Sequence, residues 1–321
     1  MGVLDRMAWL FSVAIVVFGL LQSPITRAQA SGRGDFPAAD SAHLRRHLLA
    51  LTTTPAVRNY RHPVALDSVA VYITRQLRAA GARAVHEQAY EVNGQTYRNI
   101  IGSFGPVTGE RLVVGAHYDV CGQQPGADDN GSGVAALLEF ARLLGVGAKP
   151  LTQPVELVAY TLEEPPFFRT AHMGSYVHAA ELHATGVPVR GMVALETLGY
   201  FDDRPRSQRY PLGVLKLFYG SRGNYVTVAQ KFGNGRFGRQ FARKYQRRAR
   251  LPVHRFKAPA WLPGIDFSDH LNYWKFGYSA VLLTDTAFYR NTEYHLPGDT
   301  LVRLDLHRLA LAVDALLAAV E

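Results

Sequence analysis

Residues 111–144 read RLVVGAHYDVCGQQPGADDNGSGVAALLEFARLL, and this stretch decides the fold of the chain. It begins with a continuous apolar run, Arg111–Ala116, which is typical of a strand buried on both faces of a sheet. A polar loop follows, and Gly131–Leu144 then carries apolar residues at helical spacing until Gly145, a residue that commonly ends a helix. A buried strand that leads through a loop into a helix is the repeating unit of a parallel sheet covered by helices.

The same pattern recurs elsewhere in the chain. Three further apolar runs predict buried strands: Val155–Tyr160, Gly191–Leu195 and Ser279–Leu283. Ahead of the central stretch, residues 41–53 and 65–81 carry apolar positions at helical spacing. The sequence therefore predicts an α/β fold, with a central mixed, largely parallel β-sheet flanked by helices on both faces.

The composition narrows the class of protein further. The 321 residues are 48% hydrophobic and 19% charged, which is a globular composition and excludes disordered and collagen-like chains. A single cysteine, Cys121, cannot close an intramolecular disulfide, so a hydrophobic core must hold the fold. No repeat or linker interrupts the chain after its N-terminal segment. We therefore expect a single catalytic domain over residues 31–321.

Residues 1–30 have the plan of a secretory signal peptide. A charged start precedes the apolar run 7–21, and the sequence AQA at 28–30 supplies an A-x-A cleavage site. The apolar run is short for a bilayer span of about 20 residues, so a retained membrane anchor is the alternative. We expect an exported protein, periplasmic or extracellular, with no stable membrane insertion after cleavage.

Histidines and carboxylates follow each predicted strand of the sheet. They are His117 and Asp119, Asp128 and Asp129, Glu163 and Glu164, Glu196, and His295 and Asp299. In an open α/β sheet, ligands bind outside the carboxyl ends of the strands. Imidazole and carboxylate groups that converge there are suited to Zn²⁺ or a related divalent ion.

Each of these signals has an ordinary structural explanation when it is taken alone. A histidine after a strand is commonly a core or surface residue, and an acidic pair such as Glu163-Glu164 is commonly a solvated loop. Asp128-Asp129 lies before a helix that Asn130 or Ser132 is placed to cap, and acidic residues are favourable at that position. The joint occurrence at four strand ends favours a metal site.

The motifs HYD, GADDNGSG, LEE, LETLGY and YHLPGDT resemble those of the di-zinc aminopeptidases of peptidase family M28. The resemblance extends from the predicted helix at 65–81 to the end of the chain. It implies that His117 and Glu196 hold one zinc ion and that Asp129 bridges it to a second. Glu164 and His295 complete the ligands of the second ion.

The resemblance also assigns roles in catalysis. Glu163 matches the general base, which takes a proton from a water between the metals and delivers it to the leaving amine. Asp119 matches the residue that orients His117, and Tyr294 matches a tyrosine that polarises the scissile carbonyl. In this family the free α-amino group of the substrate binds a metal, which implies peptide substrates with a free N-terminus.

Two further elements of the family pattern lie near the expected site. Asp299 is expected to support His295 as Asp119 supports His117. Ser268-Asp269-His270 matches a family segment beside the site, in which the histidine is not a metal ligand.

The sequence departs from the family pattern in two places. Glu196 stands where many members have aspartate, and Pro165–Phe168 replaces a turn that contains glycine in many relatives. The second departure leaves the substrate pocket undefined. Candidates to line an apolar pocket, or else to pack in the core, are Phe167, Phe168, Tyr273 and Trp274.

Other functions remain open at this stage. Glutaminyl cyclases have a similar fold but use one zinc ion to cyclise N-terminal glutamine, whereas the full ligand set here favours two ions and hydrolysis. A non-catalytic binding relative is a second alternative, although such a chain should have lost ligands. A dipeptidase or carboxypeptidase of the same family is a narrower possibility. The oligomeric state is not defined by the sequence.

Several other signals do not change this interpretation. HEQAY at 86–90 lacks the second histidine of an HExxH motif and alternates like a strand, and no GxSxG or GxxxxGK[ST] motif occurs. Cys121 is expected to be an inert or partly buried thiol. The basic run Arg236–Lys257 is expected to be a solvated helical face, with attraction to anionic polymers or lipid head groups as its alternative. We expect no nucleic-acid partner, because no nucleic-acid-binding module accompanies the run.

Overall fold

The sheet and its helices are seen in a computed structural model that describes residues 38–147 and 150–320. The predicted signal peptide lies outside these residues and stays a prediction. The strands are β1 Ala84–Val92, β2 Gln95–Phe104, β3 Arg111–His117, β4 Val155–Tyr160, β5 Val189–Glu196, β6 Val226–Lys231, β7 Val253–Ala258 and β8 Ala280–Thr284. The helices are α1 Ser41–Thr52, α2 Pro63–Ala79, α3 Gly133–Val146, α4 Gly174–Ala184, α5 Leu215–Tyr219, α6 Gly235–Arg248, α7 His270–Lys275 and α8 Leu306–Val320.

The described strands form one mixed sheet of eight strands in the order β1-β2-β4-β3-β5-β8-β6-β7. Strands β4, β3, β5 and β8 are mutually parallel, and they are the four strands that the apolar runs predicted. Strands β1 and β2 pair antiparallel at one side, and β6 and β7 run antiparallel to β8 at the other. Because the central four strands are parallel, their carboxyl ends lie at one edge of the sheet.

Two hydrophobic layers cover the two faces of this sheet. In β3, Leu112 and Val114 pack into the layer that includes helices α1, α2, α3, α6 and α8. Val113, which points to the other face, packs with α4 and α7. This alternation explains why the predicted strands read as continuous apolar runs: both faces are buried. The single α/β domain predicted from the sequence is confirmed.

Local details at helix α3 differ from the sequence prediction. Of the two candidate caps, Asn130 accepts a hydrogen bond from the backbone N–H of Gly133 (3.2 Å), whereas the Ser132 hydroxyl donates to the carbonyl of Asp128. The helix does not end at Gly145 but runs to Val146. A Cβ atom at Gly145 would lie 1.8 Å from the carbonyl oxygen of Ala80, so this glycine allows α2 and α3 to approach.

The structure also shows the HEQAY segment and the apolarity of the helices. The HEQAY segment lies in β1, as its alternation predicted. Within residues 38–147 and 150–320, no helix is both long and apolar enough to cross a bilayer.

Candidate metal centre

The five predicted ligands meet at the carboxyl edge of the central strands and form two groups that share Asp129. His117 lies at the end of β3, and its Nε2 is 3.5 Å from Asp129 Oδ1 and 3.2 Å from Glu196 Oε2. On the other side of the aspartate, His295 Nε2 is 3.0 Å from Asp129 Oδ2 and 3.3 Å from Glu164 Oε2. Each oxygen of one carboxylate therefore faces a different histidine.

These separations, 3.0–3.5 Å, are close to those expected of ligands of a common ion. Two atoms that each lie about 2.0–2.2 Å from one metal at a tetrahedral angle are about 3.3–3.6 Å apart. Asp129 Oδ2 and His295 Nε2 are buried and have no well-aligned hydrogen-bond partner among the described residues. A buried polar atom without a partner is costly, and a divalent cation would satisfy both atoms. The donor set, imidazole nitrogen with carboxylate oxygen, suits zinc.

Burial and the proximity of like charges set the electrostatics of the centre. Burial raises the pKa of Glu163 well above its usual value, and the nearby Glu164 and Glu196 carboxylates add to this effect. Burial and the charge of Asp129 raise the pKa of Glu164 to about 8. Burial works against charge on His295, but Asp129 and Glu164 outweigh it and raise the pKa to about 11. Without a cation, this cluster must hold extra protons.

Asp119 connects the first histidine to the glutamate pair. Its carboxylate accepts hydrogen bonds from the backbone N–H groups of Glu163 (3.2 Å) and Glu164 (3.1 Å). One of its oxygens lies 3.5 Å from His117 Nδ1, and its own carbonyl oxygen lies 3.2 Å from the same atom. Asp119 is therefore placed to fix both the ring of His117 and the turn that carries the two glutamates.

The expectation for Asp299 is wrong. Its carboxylate accepts hydrogen bonds from the backbone N–H groups of Asp128 (2.9 Å) and Asp129 (3.0 Å), and in the described part of the chain it makes none with His295. Asp299 therefore holds the loop that carries the shared ligand. The sequence could not reveal these partners, because Asp128 and Asp129 are 171 and 170 residues from Asp299 along the chain.

Residues other than the ligands themselves also support the metal centre. Ser268 Oγ donates to Glu196 Oε2 (2.8 Å), whereas His270 turns away and contacts the carbonyl of Ile265, as expected of a histidine that is not a ligand. Arg58 is buried below the metal-binding loops and donates to the carbonyls of Tyr118, Pro125 and Gly126. No local pattern marks Arg58, because the carbonyls of Tyr118, Pro125 and Gly126 lie 60 or more residues away along the chain.

Cys121 lies at the rim of the centre. One potential ligand atom from each of Cys121, Glu164 and His295 falls within 4.8 Å of the others. Burial raises the pKa of the thiol, and the neighbouring Glu164 carboxylate adds to this effect. A raised thiol pKa disfavours the reactive thiolate, which agrees in direction with the expectation of an inert thiol.

An apolar pocket opens beside the centre, but the predicted aromatic residues do not form it. Tyr273 is buried in the core, where its hydroxyl is hydrogen-bonded to the hydroxyl of Tyr160 and lies against His178. Phe167 packs against Tyr60. The pocket instead lies over β6, β7 and β8, between Glu196 and Tyr294. Its apolar wall includes Tyr219, Tyr225, Phe256, Phe267, Leu282 and Phe288.

Tyr294 connects this pocket to the metal centre. Its ring stacks on that of His295, with 4.0 Å between ring centroids and 16° between planes. Burial raises the pKa of its hydroxyl well above the usual value, and Asp129 and Glu164 add to this effect. The phenol is therefore neutral near pH 7 and can donate a hydrogen bond.

Comparison with known proteins matches the chain to a peptidase family. The model of peptidase family M28 matches residues 99–320. The uncharacterized protein YfbL of Escherichia coli K12 is 42% identical over 287 residues, which cover 87% of each chain. At this identity and coverage, the relationship extends over nearly the whole described structure.

Solved structures of two enzymes share the fold. BSAP, a zinc aminopeptidase from Bacillus subtilis, is similar with a TM-score of 0.68 at 14% identity, over 89% of this chain and 95% of that one. A glutaminyl cyclase from Bacteroides thetaiotaomicron bound to N-acetylhistamine is similar with a TM-score of 0.66 at 18% identity, over 89% and 99% of the two chains. At these identities the likeness is one of fold.

Proposed function

The chain belongs to peptidase family M28, and from this premise we propose that it is a metalloaminopeptidase that removes N-terminal residues from peptides. The observation that carries the proposal is the position of Asp129, whose two oxygens face two separate histidine–glutamate pairs. A shared carboxylate between two complete pairs is suited to two divalent ions, and the donors favour zinc.

When bound, two such ions polarise the scissile carbonyl and lower the pKa of an attacking water toward about 7. Glu163 is the side chain placed to accept the proton of that water, since its carboxylate lies beside the shared ligands, 3.9 Å from His117 Nε2. The adjacent Glu164 is a metal ligand, so one glutamate binds metal and the other transfers the proton. Glu163 then delivers the proton to the leaving amine.

The remaining residues position the substrate. The hydroxyl of Tyr294 is proposed to donate a hydrogen bond to the scissile carbonyl oxygen, where negative charge develops. The aromatic pocket beside it receives the side chain of the N-terminal residue. Because this pocket is lined mainly by apolar rings, we expect a preference for large apolar N-terminal residues.

The decisive experiment combines metal analysis with one substitution. We expect two metal ions per chain and hydrolysis of aminoacyl anilides. Glu163→Gln should lower kcat by about 10²–10⁴-fold, because it removes the proton acceptor. The metal content should not change, because Glu163 is not a ligand. Glu110→Gln, an exposed glutamate, serves as the matched control.

The same assay separates the alternatives. One metal ion per chain, with cyclisation of N-terminal glutaminyl peptides, would assign the protein to the glutaminyl cyclases. No bound metal and no turnover of either substrate class would identify a binding protein. A Glu163→Gln enzyme with undiminished kcat would remove Glu163 from the mechanism.

Export is also part of the proposal. It rests on the charged start, the apolar run 7–21 and the AQA site of the sequence. Mass spectrometry of the protein from fractionated cells should find a chain that begins at Ser31 outside the cytoplasm. A full-length chain in the membrane fraction would instead indicate a retained anchor.

A further inference from the structure

The positive charge of this protein is concentrated in one segment. Residues 235–258 contain nine Lys and Arg residues and no Asp or Glu. The whole chain has 35 Lys and Arg against 26 Asp and Glu, so all other residues together carry 26 positive and 26 negative side chains. The net charge of +9 therefore resides entirely in 24 consecutive residues.

The fold gathers these cations on one surface. Helix α6 buries Phe241, Ala242 and Tyr245 against the core and exposes its opposite side. Strand β7, at the edge of the sheet, follows. Its residues alternate: His254 and Phe256 face the aromatic pocket, and Arg255 and Lys257 lie on the face covered by α6. The basic surface, as we define it, comprises Arg236, Arg239, Arg243, Lys244, Arg247, Arg248, Arg255 and Lys257.

The basic surface has no internal neutralisation. Arg250, the ninth cation of the segment, pairs with Asp314 across a short distance. Within the described residues, none of the eight cations of the basic surface forms an ion pair with a carboxylate. Partial burial lowers the pKa of Arg255, and the nearby Arg243 and Arg247 add to this effect. Burial also lowers the pKa of Lys257, and the nearby Arg239 adds to this effect.

Contact with solvent does not by itself require so many unpaired cations on one surface. Solvent-exposed faces ordinarily intersperse both signs of charge, which avoids self-repulsion. Charges on an edge strand do discourage pairing with another chain, but Arg255 and Lys257 alone are sufficient for that purpose. The six cations of α6 remain without a structural role, and their mutual repulsion is a cost that an anionic partner would relieve.

We propose that the basic surface binds anionic phospholipid head groups at a membrane. Four to eight Lys and Arg residues on one face of an amphipathic helix are typical of attachment to anionic lipid. The groove beside these cations is lined by apolar residues, which include Leu112, Phe237 and Val320, together with Arg190 and Arg243. This mixed lining suits an amphiphile better than the phosphate backbone of a nucleic acid.

The position of the surface is compatible with catalysis at the membrane. The aromatic pocket lies on one face of β7, and the basic surface lies on the other. A protein attached to a bilayer through α6 therefore keeps its pocket open to soluble peptides. The inference does not depend on the proposed reaction, because it rests on charge and geometry alone.

Sedimentation with lipid vesicles tests the inference. The purified chain is mixed with phosphatidylcholine vesicles, with and without phosphatidylglycerol. We expect binding to require phosphatidylglycerol and to weaken with added salt, because salt screens exposed charges. The quadruple variant R239Q/R243Q/K244Q/R247Q should bind at least about 100-fold more weakly, since each cation contributes about fivefold. Glutamine preserves helix propensity, so α6 should still form.

A matched variant removes the same charge elsewhere. R45Q/R46Q/R75Q/R78Q changes four exposed arginines of α1 and α2 and should bind vesicles nearly as well as the parent chain. Equal loss in both variants would show that only net charge matters and would overturn the assignment of this surface. Salt-sensitive binding to duplex DNA with none to phosphatidylglycerol would overturn the membrane proposal in favour of nucleic acid. Thermal unfolding that is unchanged in both variants excludes misfolding as the cause of any loss.

Discussion

Arg58 stabilises the metal-binding loops through hydrogen bonds to their backbone. Its guanidinium is 2% exposed and donates to four carbonyl oxygens, those of Leu51, Tyr118, Pro125 and Gly126. Burial lowers its pKa to about 10, so it remains charged near pH 7, opposite Asp299 and Asp129. One side chain thereby joins the loop after β3 to the loop that carries the shared ligand.

Replacing Arg58 by lysine should weaken metal binding although the charge is kept. A lysine ammonium has only three donors at a single point and cannot reach carbonyls on both loops. We expect metal affinity to fall about 10- to 100-fold, as for other residues that support ligands. The free energy of unfolding should fall by roughly 2–3 kcal/mol, because buried carbonyls lose their donors.

Competition with a metal-binding dye and urea unfolding measure the two effects. Arg61→Lys, on the same segment but exposed, is the control and should leave both quantities unchanged. If Arg58→Lys binds metal as tightly as the parent chain, the guanidinium does not position the loops.

Residues of the site differ in how far the sequence predicts them. His117, Glu164 and Glu196 could be predicted because each lies at or just after the end of an apolar run, and parallel strands bring such ends together. The partner of Asp299 could not be predicted, since it depends on how two loops more than a hundred residues apart fold over each other. Arg58 was missed for the same reason: its partners are backbone carbonyls, which carry no sequence signal.

At the scale of elements, the burial of His47, which lies where helix α1 contacts α2, makes stability depend on pH. His47 Nδ1 lies 2.8 Å from the hydroxyl of Tyr72. Burial lowers the pKa of His47 to about 4, so the folded chain keeps this ring neutral down to that pH. The unfolded chain takes up the proton near pH 6.5, its ordinary value. Stability attributable to His47 is therefore complete above pH 6.5 and is lost as the pH falls toward 4.

Comparison with His47→Gln isolates this contribution. Between pH 7 and pH 4 the parent chain should lose roughly 2–3 kcal/mol more of its free energy of unfolding than the variant, because only the parent has this proton to bind. Urea unfolding at a series of pH values gives both curves. His86→Gln, at an exposed position of β1, should follow the parent; parallel curves for the parent and His47→Gln would contradict the prediction.

The strands β6, β7 and β8 determine the proposed substrate preference. Ala229 of β6 lies in the wall of the aromatic pocket. Ala229→Leu adds three carbon atoms there and should obstruct a large side chain. We expect kcat/KM for a phenylalanyl anilide to fall about 10- to 100-fold relative to that for an alanyl anilide.

The ratio of the two substrates is the informative measurement. A general loss of folding or metal would lower both rates together, whereas a filled pocket lowers only the rate for the large residue. An unchanged ratio would place the N-terminal side chain outside this pocket.

Elements were predictable where their signal was local. Apolar spacing predicts the four central strands and helices α1 to α3, with ends displaced by two residues at most. The end of α3 was wrong because Gly145 serves the contact with Ala80 and not a helix terminus. The lining of the pocket could not be predicted, because it comes from β6 and β7 as well as β8, and β6 reaches β8 through antiparallel pairing between distant segments.

At the scale of the whole molecule, two regions concentrate charge of opposite sign. Positive charge collects on α6 and β7, and buried carboxylates collect at the metal centre. These carboxylates are Asp119, Asp128, Asp129, Glu163, Glu164, Glu196, Asp269, Asp285 and Asp299. In the absence of metal, the burial of these carboxylates and the repulsion between their charges favour their protonated forms. The metal-free protein should therefore be sensitive to pH in a manner that the metal-loaded protein is not.

The direction of this effect follows from the raised pKa values. Burial raises the pKa of Glu164 to about 8, of Asp269 and Asp299 to about 7, and of Asp285 to about 6. The folded metal-free chain thus binds more protons than the unfolded chain between about pH 4 and pH 8, and its stability falls as the pH rises through this range. His295, whose pKa is also raised, acts in the same direction.

Metal ions should reverse this trend, because they bind the deprotonated ligands and so bind more tightly as the pH rises. At a free metal concentration of about a thousand times Kd, each site adds about 4 kcal/mol to the free energy of unfolding. Urea unfolding from about pH 5 to pH 8, with zinc or with a chelator, should give curves that diverge as the pH increases. If the chelated protein is equally stable throughout, the carboxylates are already neutralised by groups within the chain. In that case the convergence of acidic side chains on Asp129 no longer argues for a pair of ions.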